Sequence, residues 1–169
     1  NLQLNYRPLT PHPVQSSLGA TAVSTPSPAT YPAGGNFTSL AQQEFWARRD
    51  RQLMCRDLYV LLYTMTFPHV DSSNAAMNPT SAAFASTTQN QAAIRQLAQY
   101  AVNIVDSLDR DNVVTRFEYD LNLANGWDLD DIPTTVDGSG DRYEVYGVER
   151  LDLTLSEALA VRADQTTSN

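Results

Sequence analysis

The pattern of apolar and polar positions predicts two long helices in the first two thirds of the chain. Apolar residues recur at helical spacing from Ser39 to about 66, and Ser39 and Gln42 form a capping-box pattern at the start. The predicted buried stripe of this helix consists of Trp46, Leu53, Met54, Leu58, Leu61, Leu62 and Met65. A second stripe covers about 90–108, and its small residues Ala98 and Ala101 favour close packing of the two helices as a hairpin.

After the second helix the period changes to that of strands. Residues 113–119 and 143–148 are predicted strands, and in 151–155 leucines alternate with polar residues. We therefore expect an α+β fold, in which the helical hairpin of about 39–66 and 90–108 packs on a small, loop-rich β region of about 113–160. The polar stretch 68–90 is expected to be a long connection with little structure of its own.

The first 37 residues differ in composition from the rest of the chain. They contain six of the nine prolines, among many Ser, Thr, Ala and Gly residues. Such a stretch buries too little apolar surface to offset the entropy lost on ordering. We predict that 1–37 is an extended strap or linker lying on a neighbouring subunit. A single α+β domain follows at 38–169, in a chain that is compatible with being a fragment of a larger protein.

The charged residues limit the classes of partner that the chain can bind. The chain has 19 acidic and 11 basic residues, a net charge of −8, which excludes binding of nucleic acid by phosphate neutralisation. All the basic residues are arginines, which excludes a catalytic lysine, a Schiff base or a P-loop. The charge is unevenly spread, with a net of +2 over 1–105 and −10 over 106–169.

This asymmetry predicts contacts between the two parts of the chain. We expect arginines of the first helix to bind carboxylates of 106–164, within one chain or across a subunit contact, because arginine grips carboxylates with its planar fork. The predicted interface arginines are Arg48, Arg49, Arg51 and Arg56. The alternative is that the basic and acidic faces are solvated separately.

The carboxylates after the second helix are candidate metal ligands. Hard cations such as calcium take six to eight oxygens, which closely spaced Asp residues supply. The candidate ligands are Asp106, Asp109, Asp111 and Asp120. On the 12-residue calcium-loop template Val113 falls at ligand position 5 and Val114 replaces the turn glycine, so an EF-hand is not expected. An irregular calcium site remains open, and so does the alternative that these residues end the helix and solvate the loop.

Catalytic chemistry has little support in the sequence. Cys55 lies inside the first helical pattern and is expected to be a small buried residue. The two histidines, His12 and His69, lie in the Pro-rich segment and at a helix exit, without an orienting motif around them. We therefore do not expect an enzyme.

The composition indicates the compartment. Charged residues make up only 18% of the chain, so much of the surface must be Ser, Thr, Asn, Gln and Ala, which suits an extracellular or cell-envelope protein. The longest apolar run, 58–67, is shorter than the roughly 20 residues that span a bilayer as a helix. Membrane contact would therefore need a segment outside this sequence.

Three stretches, 51–64, 97–131 and 143–162, carry a resemblance to known proteins. Their ordered motifs are A-x-N-I-V-D-x-x-D-x-D, F-E-Y-D and G-x-E-R. They resemble large, uncharacterised surface proteins of planctomycete-type bacteria that carry a pilin-like N-terminal helix. The helix end with Asp106, Asp109 and Asp111 is similar to the D-W-x-D-x-D passage of the large minor pseudopilin of type II secretion. That resemblance implies a globular, calcium-stabilised head at a filament tip.

Together these features favour a non-enzymatic structural protein outside the cytosol. We expect a pilin- or pseudopilin-like subunit of a filament or surface assembly, whose partners are copies of itself or other envelope subunits. The alternative is a calcium-dependent adhesion or carbohydrate-binding module. In that case the four Asp residues named above would hold the ion, and Trp127 and Tyr119 would offer stacking surfaces.

Overall fold

A computed structural model describes residues 8–13, 30–67, 75–79, 81–109, 111–123 and 142–148. Its α-helices and β-strands are α1 (Leu40–Thr66), α2 (Ala82–Ala85), α3 (Thr88–Leu108), β1 (Arg116–Asp120) and β2 (Arg142–Tyr146), and short 3-10 helices cover Ala33–Gly35 and Ala75–Met77. The long helices α1 and α3 pack together, and β1 and β2 form an antiparallel sheet against them. The predicted α+β fold with a helical hairpin is confirmed.

The start of α1 is fixed by its first side chains. Ser39 Oγ accepts a hydrogen bond from the Gln42 backbone N–H at 3.1 Å, as the capping-box pattern predicts. Gln42 Oε1 accepts from the Thr38 backbone N–H at 2.8 Å and from the Thr38 hydroxyl at 3.0 Å. The amide therefore reaches Thr38 instead of Ser39, and it satisfies an additional donor ahead of the helix.

The predicted stripe of α1 is buried only in part: Trp46 is buried, and Met54, Leu58 and Leu62 pack against the core from half-buried positions. Leu61 is 51% and Met65 71% exposed, and of the predicted stripe only Trp46 is fully buried. The face that turns inward instead carries Arg51, Cys55, Tyr59 and Tyr63, at intervals of four residues. The prediction was incomplete because polar side chains with partners elsewhere in the chain can be buried, and hydropathy alone assigns them to the surface.

Aromatic rings fill the centre of the core. The Tyr59 ring meets Tyr63, Phe117 and Tyr119, each at a centroid distance of 5.8 Å. Facing it, α3 contributes small and branched side chains, namely Ile94, Ala98, Ala101, Val102 and Val105. Ala98 and Ala101 are fully buried, as their predicted role in close helix packing requires.

The connection between the long helices has more structure than expected. Phe84 of α2 is buried, and its ring contacts those of Phe67 at 5.0 Å and Tyr63 at 6.5 Å. The hydroxyl of Ser81 caps α2 by accepting from the Phe84 backbone N–H at 3.1 Å. The prediction that the connection over 68–90 has little structure of its own is therefore wrong for this part, because the buried ring of Phe84 anchors a short helix to the core.

One edge of the sheet is covered by α1. The amide of Gln52 donates to the Glu118 carbonyl at 2.7 Å and accepts from the Glu118 N–H at 3.1 Å, as a neighbouring strand would. The Tyr59 hydroxyl donates to the Asp120 carbonyl at 2.7 Å. These bonds fix β1 against α1, and so they also fix the segment between α3 and β1.

Several predicted features lie outside the described residues, namely the strand at 151–155, His69, Trp127 and most of the strap. In the described ranges, no helix combines the length and the apolar character needed to cross a membrane.

Candidate functional site

Residues 8–13, which we call the docked segment, lie on the N-terminal half of α1. Thr10 is 1% exposed, and both its backbone N–H and its hydroxyl donate to Asp50 Oδ2, at 3.2 and 2.6 Å. The carbonyl of Pro11 accepts from the Gln43 amide at 2.9 Å, and the backbone N–H of His12 donates to Asp111 Oδ2 at 3.2 Å. The segment is therefore bound mainly through its backbone.

Arg51 lies at the centre of these contacts and is 1% exposed. Its Nη1 donates to the Thr10 carbonyl at 2.7 Å and to the Ala47 carbonyl at 3.1 Å. Nε donates to Asp109 Oδ2 at 2.9 Å, and Nη2 donates to Asp111 Oδ2 at 2.6 Å. One guanidinium thus ties the docked segment, α1 and the end of α3 together, which the single ammonium of a lysine could not do with the same geometry.

A second charged group surrounds His12. His12 Nδ1 lies 3.2 Å from Glu44 Oε2, and both side chains are less than a tenth exposed. Glu44 Oε1 accepts from Arg48 Nε at 2.6 Å, which is the contact between residues one helical turn apart. Because Glu44 is held by Arg48, its second oxygen is placed at the imidazole.

We call the charged side chains that hold the docked segment the charged socket, defined as Glu44, Asp50, Arg51, Asp109 and Asp111. Burial raises the pKa of the Asp109 carboxyl, and the neighbouring Arg51 opposes this rise. Asp111 Oδ1 accepts from the Val113 backbone N–H at 3.1 Å, which fixes its carboxylate below Arg51. The socket is therefore preorganised by contacts of its own, in addition to those with the docked segment.

The predicted contact between first-helix arginines and the acidic half is confirmed for Arg51, within one chain. The other three arginines have different neighbours. Arg48 pairs with Glu44, Arg56 pairs with Asp57 at 2.7 Å, and Arg49 lies over the ring of Trp46 at 5.8 Å. The charge distribution identified the two partner regions, but it could not identify which arginine faces inward.

The described part of the strap lies on its own chain, contrary to the expectation that the strap lies on a neighbour. Besides the docked segment, Tyr31 packs edge-on against Trp46 at 5.4 Å and against Phe37 at 5.7 Å. The Tyr31 hydroxyl is 3.3 Å from Thr10 Oγ1. An open groove of about 710 Å³ is lined by residues of Pro8–Pro11 and of Tyr31–Phe37, so the docked segment forms part of its wall.

Asp106, a candidate metal ligand, lies in a tight contact between α3 and β2. Its Oδ1 accepts from the Thr115 backbone N–H at 3.1 Å, and its Oδ2 accepts no hydrogen bond from the described residues. A Cβ on Gly147 would fall 1.8 Å from Oδ2, so only glycine fits there, and the Gly147 N–H bonds the Thr115 carbonyl at 2.9 Å. Burial raises the pKa of Asp106.

The four predicted calcium ligands are not all brought together. Asp109 and Asp111 bind Arg51, and Asp106 faces Thr115 and Gly147. Asp120 lies at the far end of β1, where its Oδ1 accepts from the Asn122 N–H at 2.7 Å. Across the part of the chain that the structure describes, no group of three or more His, Cys, Asp or Glu side chains is arranged to hold a metal ion. Calcium binding stays a prediction.

Two other candidate residues are buried. Cys55 is fully buried, as expected, and burial raises the pKa of its thiol well above the ordinary value. Tyr119, expected to offer a stacking surface, is 2% exposed and packs against Tyr59 and Tyr143. A ligand cannot stack on Tyr119 in this arrangement, so that assignment is corrected.

Sequence reasoning missed three important residues of this site, namely Thr10, Asp50 and His12. Each lies in a pattern that favours solvation, either a Pro-rich segment or the polar positions of a helix. The one signal in the sequence was the adjacent charged pair Asp50 and Arg51, which directly precedes a buried turn of α1.

Comparison of the chain with protein-family models, with curated proteins and with solved structures gives no match.

Proposed function

We propose that the chain is a non-enzymatic structural subunit of an extracellular or cell-envelope assembly, and that it acts by binding extended chain segments. The charged socket carries this proposal. It binds three backbone groups of Thr10 and His12, together with the Thr10 hydroxyl, from positions on one helix and the loop after another, and the neighbouring Gln43 binds the Pro11 carbonyl. Binding of an extended backbone by fixed polar side chains is the chemistry of protein–protein docking.

Composition and sequence resemblance support the same proposal. The low fraction of charged residues suits a surface outside the cytosol, and the motifs quoted above resemble surface proteins with a pilin-like helix. The proposed partners are other copies of this chain or other envelope or filament subunits. A filament or a surface layer is the proposed form of the assembly.

The test compares the full chain with a variant lacking residues 1–37. We expect the full chain to form ordered assemblies under electron microscopy, and the shortened chain to remain dispersed while its helical circular dichroism is retained. A matched control is the full chain with Arg95→Gln, which changes an exposed arginine on α3 away from the charged socket. Unchanged assembly of the shortened chain would contradict the proposal.

A further inference from the structure

The charged socket recognises features that any copy of the docked segment presents. Its partners in the segment are the backbone N–H and C=O of Thr10, the backbone N–H of His12, the Thr10 hydroxyl and the His12 ring, and the neighbouring Gln43 adds a bond to the Pro11 carbonyl. None of these contacts depends on the segment belonging to the same chain. The segment of a second copy would therefore make the same bonds at the same distances.

The length of sequence between the docked segment and the rest of the described chain also bears on which socket the segment can reach. Sixteen residues, 14–29, connect it to the next described residue, Thr30. A chain of that length spans at most about 55 Å, whereas a domain of this size is roughly 35 Å across. The connection is thus long enough for the segment to reach the socket of an adjacent copy.

We propose that copies of this chain exchange their docked segments in the assembled state, so that the charged socket of one copy holds residues 8–13 of another. This inference rests on the proposed function. Exchange replaces each bond within a chain by the same bond between chains, and it therefore costs only the entropy of association. The socket of the same chain competes for the segment at an effective concentration in the millimolar range. Exchange therefore prevails only where other contacts hold copies side by side.

The three proline residues of the segment lower the entropic cost of docking. Pro8, Pro11 and Pro13 restrict the backbone to extended conformations before it binds. A segment that is already extended loses less conformational entropy on entering a socket, whichever chain supplies the socket. The same property strengthens docking within a chain and docking between chains alike.

The experiment uses two single-cysteine additions in separate full-length chains. Pro11→Cys places a thiol on the docked segment, and Gln43→Cys places one on α1, where the Gln43 amide lies 2.9 Å from the Pro11 carbonyl. The native Cys55 is fully buried and does not compete for a thiol reagent. The two chains carry different tags, are mixed under assembly conditions and are treated with a short bis-maleimide.

The expected product is a crosslinked pair that contains both tags. Its yield should exceed by at least about tenfold that of a mixture of Pro11→Cys with Thr64→Cys, an exposed position near the other end of α1. A third sample, one chain carrying both Pro11→Cys and Gln43→Cys, reports docking within a chain. If that chain crosslinks internally while the mixture stays at the control yield, exchange is overturned.

The same samples are viewed by electron microscopy, so that the two proposals can fail separately. Assemblies without the mixed pair overturn exchange and leave the proposed function standing. Mixed pairs without larger assemblies support exchange and contradict the proposed function. Dispersed single chains without the mixed pair overturn both.

Discussion

Both halves of α1 bury aromatic rings, with Phe45 and Trp46 in the N-terminal half, but the two halves differ in their buried polar contacts. The N-terminal half buries Glu44, Asp50 and Arg51, whose contacts are hydrogen bonds and ion pairs of defined direction. The C-terminal half buries Tyr59 and Tyr63, whose rings pack against other rings from the sheet and from α2. One helix thus joins a directional polar site to an aromatic core.

The difference indicates that the two halves of the helix have different roles. Apolar burial stabilises the fold with little dependence on angle, since it scales with the area removed from water. Buried ion pairs contribute little net stability, because desolvation offsets attraction, but they specify which groups meet. We conclude that the aromatic half stabilises the fold and that the charged half fixes the position of the docked segment.

The substitution expected to destabilise the aromatic half most is Tyr59→Ala. Tyr59 is fully buried among three rings, and truncating such a side chain should lower the free energy of unfolding by about 3–5 kcal/mol. The matched control is Tyr100→Ala on α3, where the ring is 61% exposed and the expected change is within about 0.5 kcal/mol. Urea unfolding measures both. Equal losses in the two variants would show that Tyr59 is not part of a packed core.

The corresponding change in the charged half is Arg51→Met. It leaves Asp109 and Asp111 without their buried cation, so we expect a loss of about 3 kcal/mol. Amide exchange at Thr10 should also become faster in this variant, because Arg51 holds the Thr10 carbonyl. Arg95→Met, at an exposed position, is the control. Unchanged exchange at Thr10 would contradict the role given to Arg51.

Gly147→Ala tests the contact between α3 and β2. A methyl group there would collide with the Asp106 carboxylate, which cannot turn away without losing its bond from Thr115, so we expect a loss of about 2 kcal/mol. In an Asp106→Ala background the same change should cost less than about 0.5 kcal/mol, since the obstructing group is gone. A cost that is equal in the two backgrounds would rule out the collision as its cause.

Thr10→Val removes one hydroxyl from the docked segment with little change in shape. The lost bond to the Asp50 carboxylate, at 2.6 Å, is charge-assisted, and we expect a loss of about 1.5 kcal/mol. Thr64→Val removes an exposed hydroxyl that bonds only helix carbonyls, and it should change stability by less than about 0.5 kcal/mol. Thermal unfolding of the two variants gives the comparison. A smaller loss at Thr10 than at Thr64 would mean that the docked segment is loosely held.

The elements of the fold were largely predictable from local signals. Ser39 marks the start of α1, and the change of period after Leu108 marks the end of α3, within two residues of the structure. The buried face of α1 was not predictable in the same way. Arg51 and Gln52 are polar by composition, and their partners Asp109 and Glu118 lie 58 and 66 residues further along the chain.

The candidate site, like the fold, was predictable only in part. The uneven charge along the sequence predicted that an arginine of the first helix meets the acidic half, because like charges must be compensated wherever they accumulate. The docking of Thr10 and His12 could not be predicted, since a Pro-rich segment gives no periodic signal. Such a segment becomes ordered only through the partners that the folded domain presents.

The smallest expected effect concerns Asp106 and pH. Burial raises its pKa in the folded state, so on acidification the folded chain takes up a proton at Asp106 before the unfolded chain does. The contribution of this group to stability therefore increases as pH falls through the raised pKa, and it is complete below the ordinary pKa of an aspartate.

Asp106→Asn should remove this increase of stability at low pH. It should also stabilise the chain at neutral pH by about 1 kcal/mol, because the amide oxygen still accepts from Thr115 and no charge is buried. Asp57→Asn, at the half-buried partner of Arg56, is the control. Urea unfolding between neutral and acidic pH makes the measurement, and an Asp106→Asn curve parallel to that of the native chain would contradict a buried, raised-pKa carboxyl at this position.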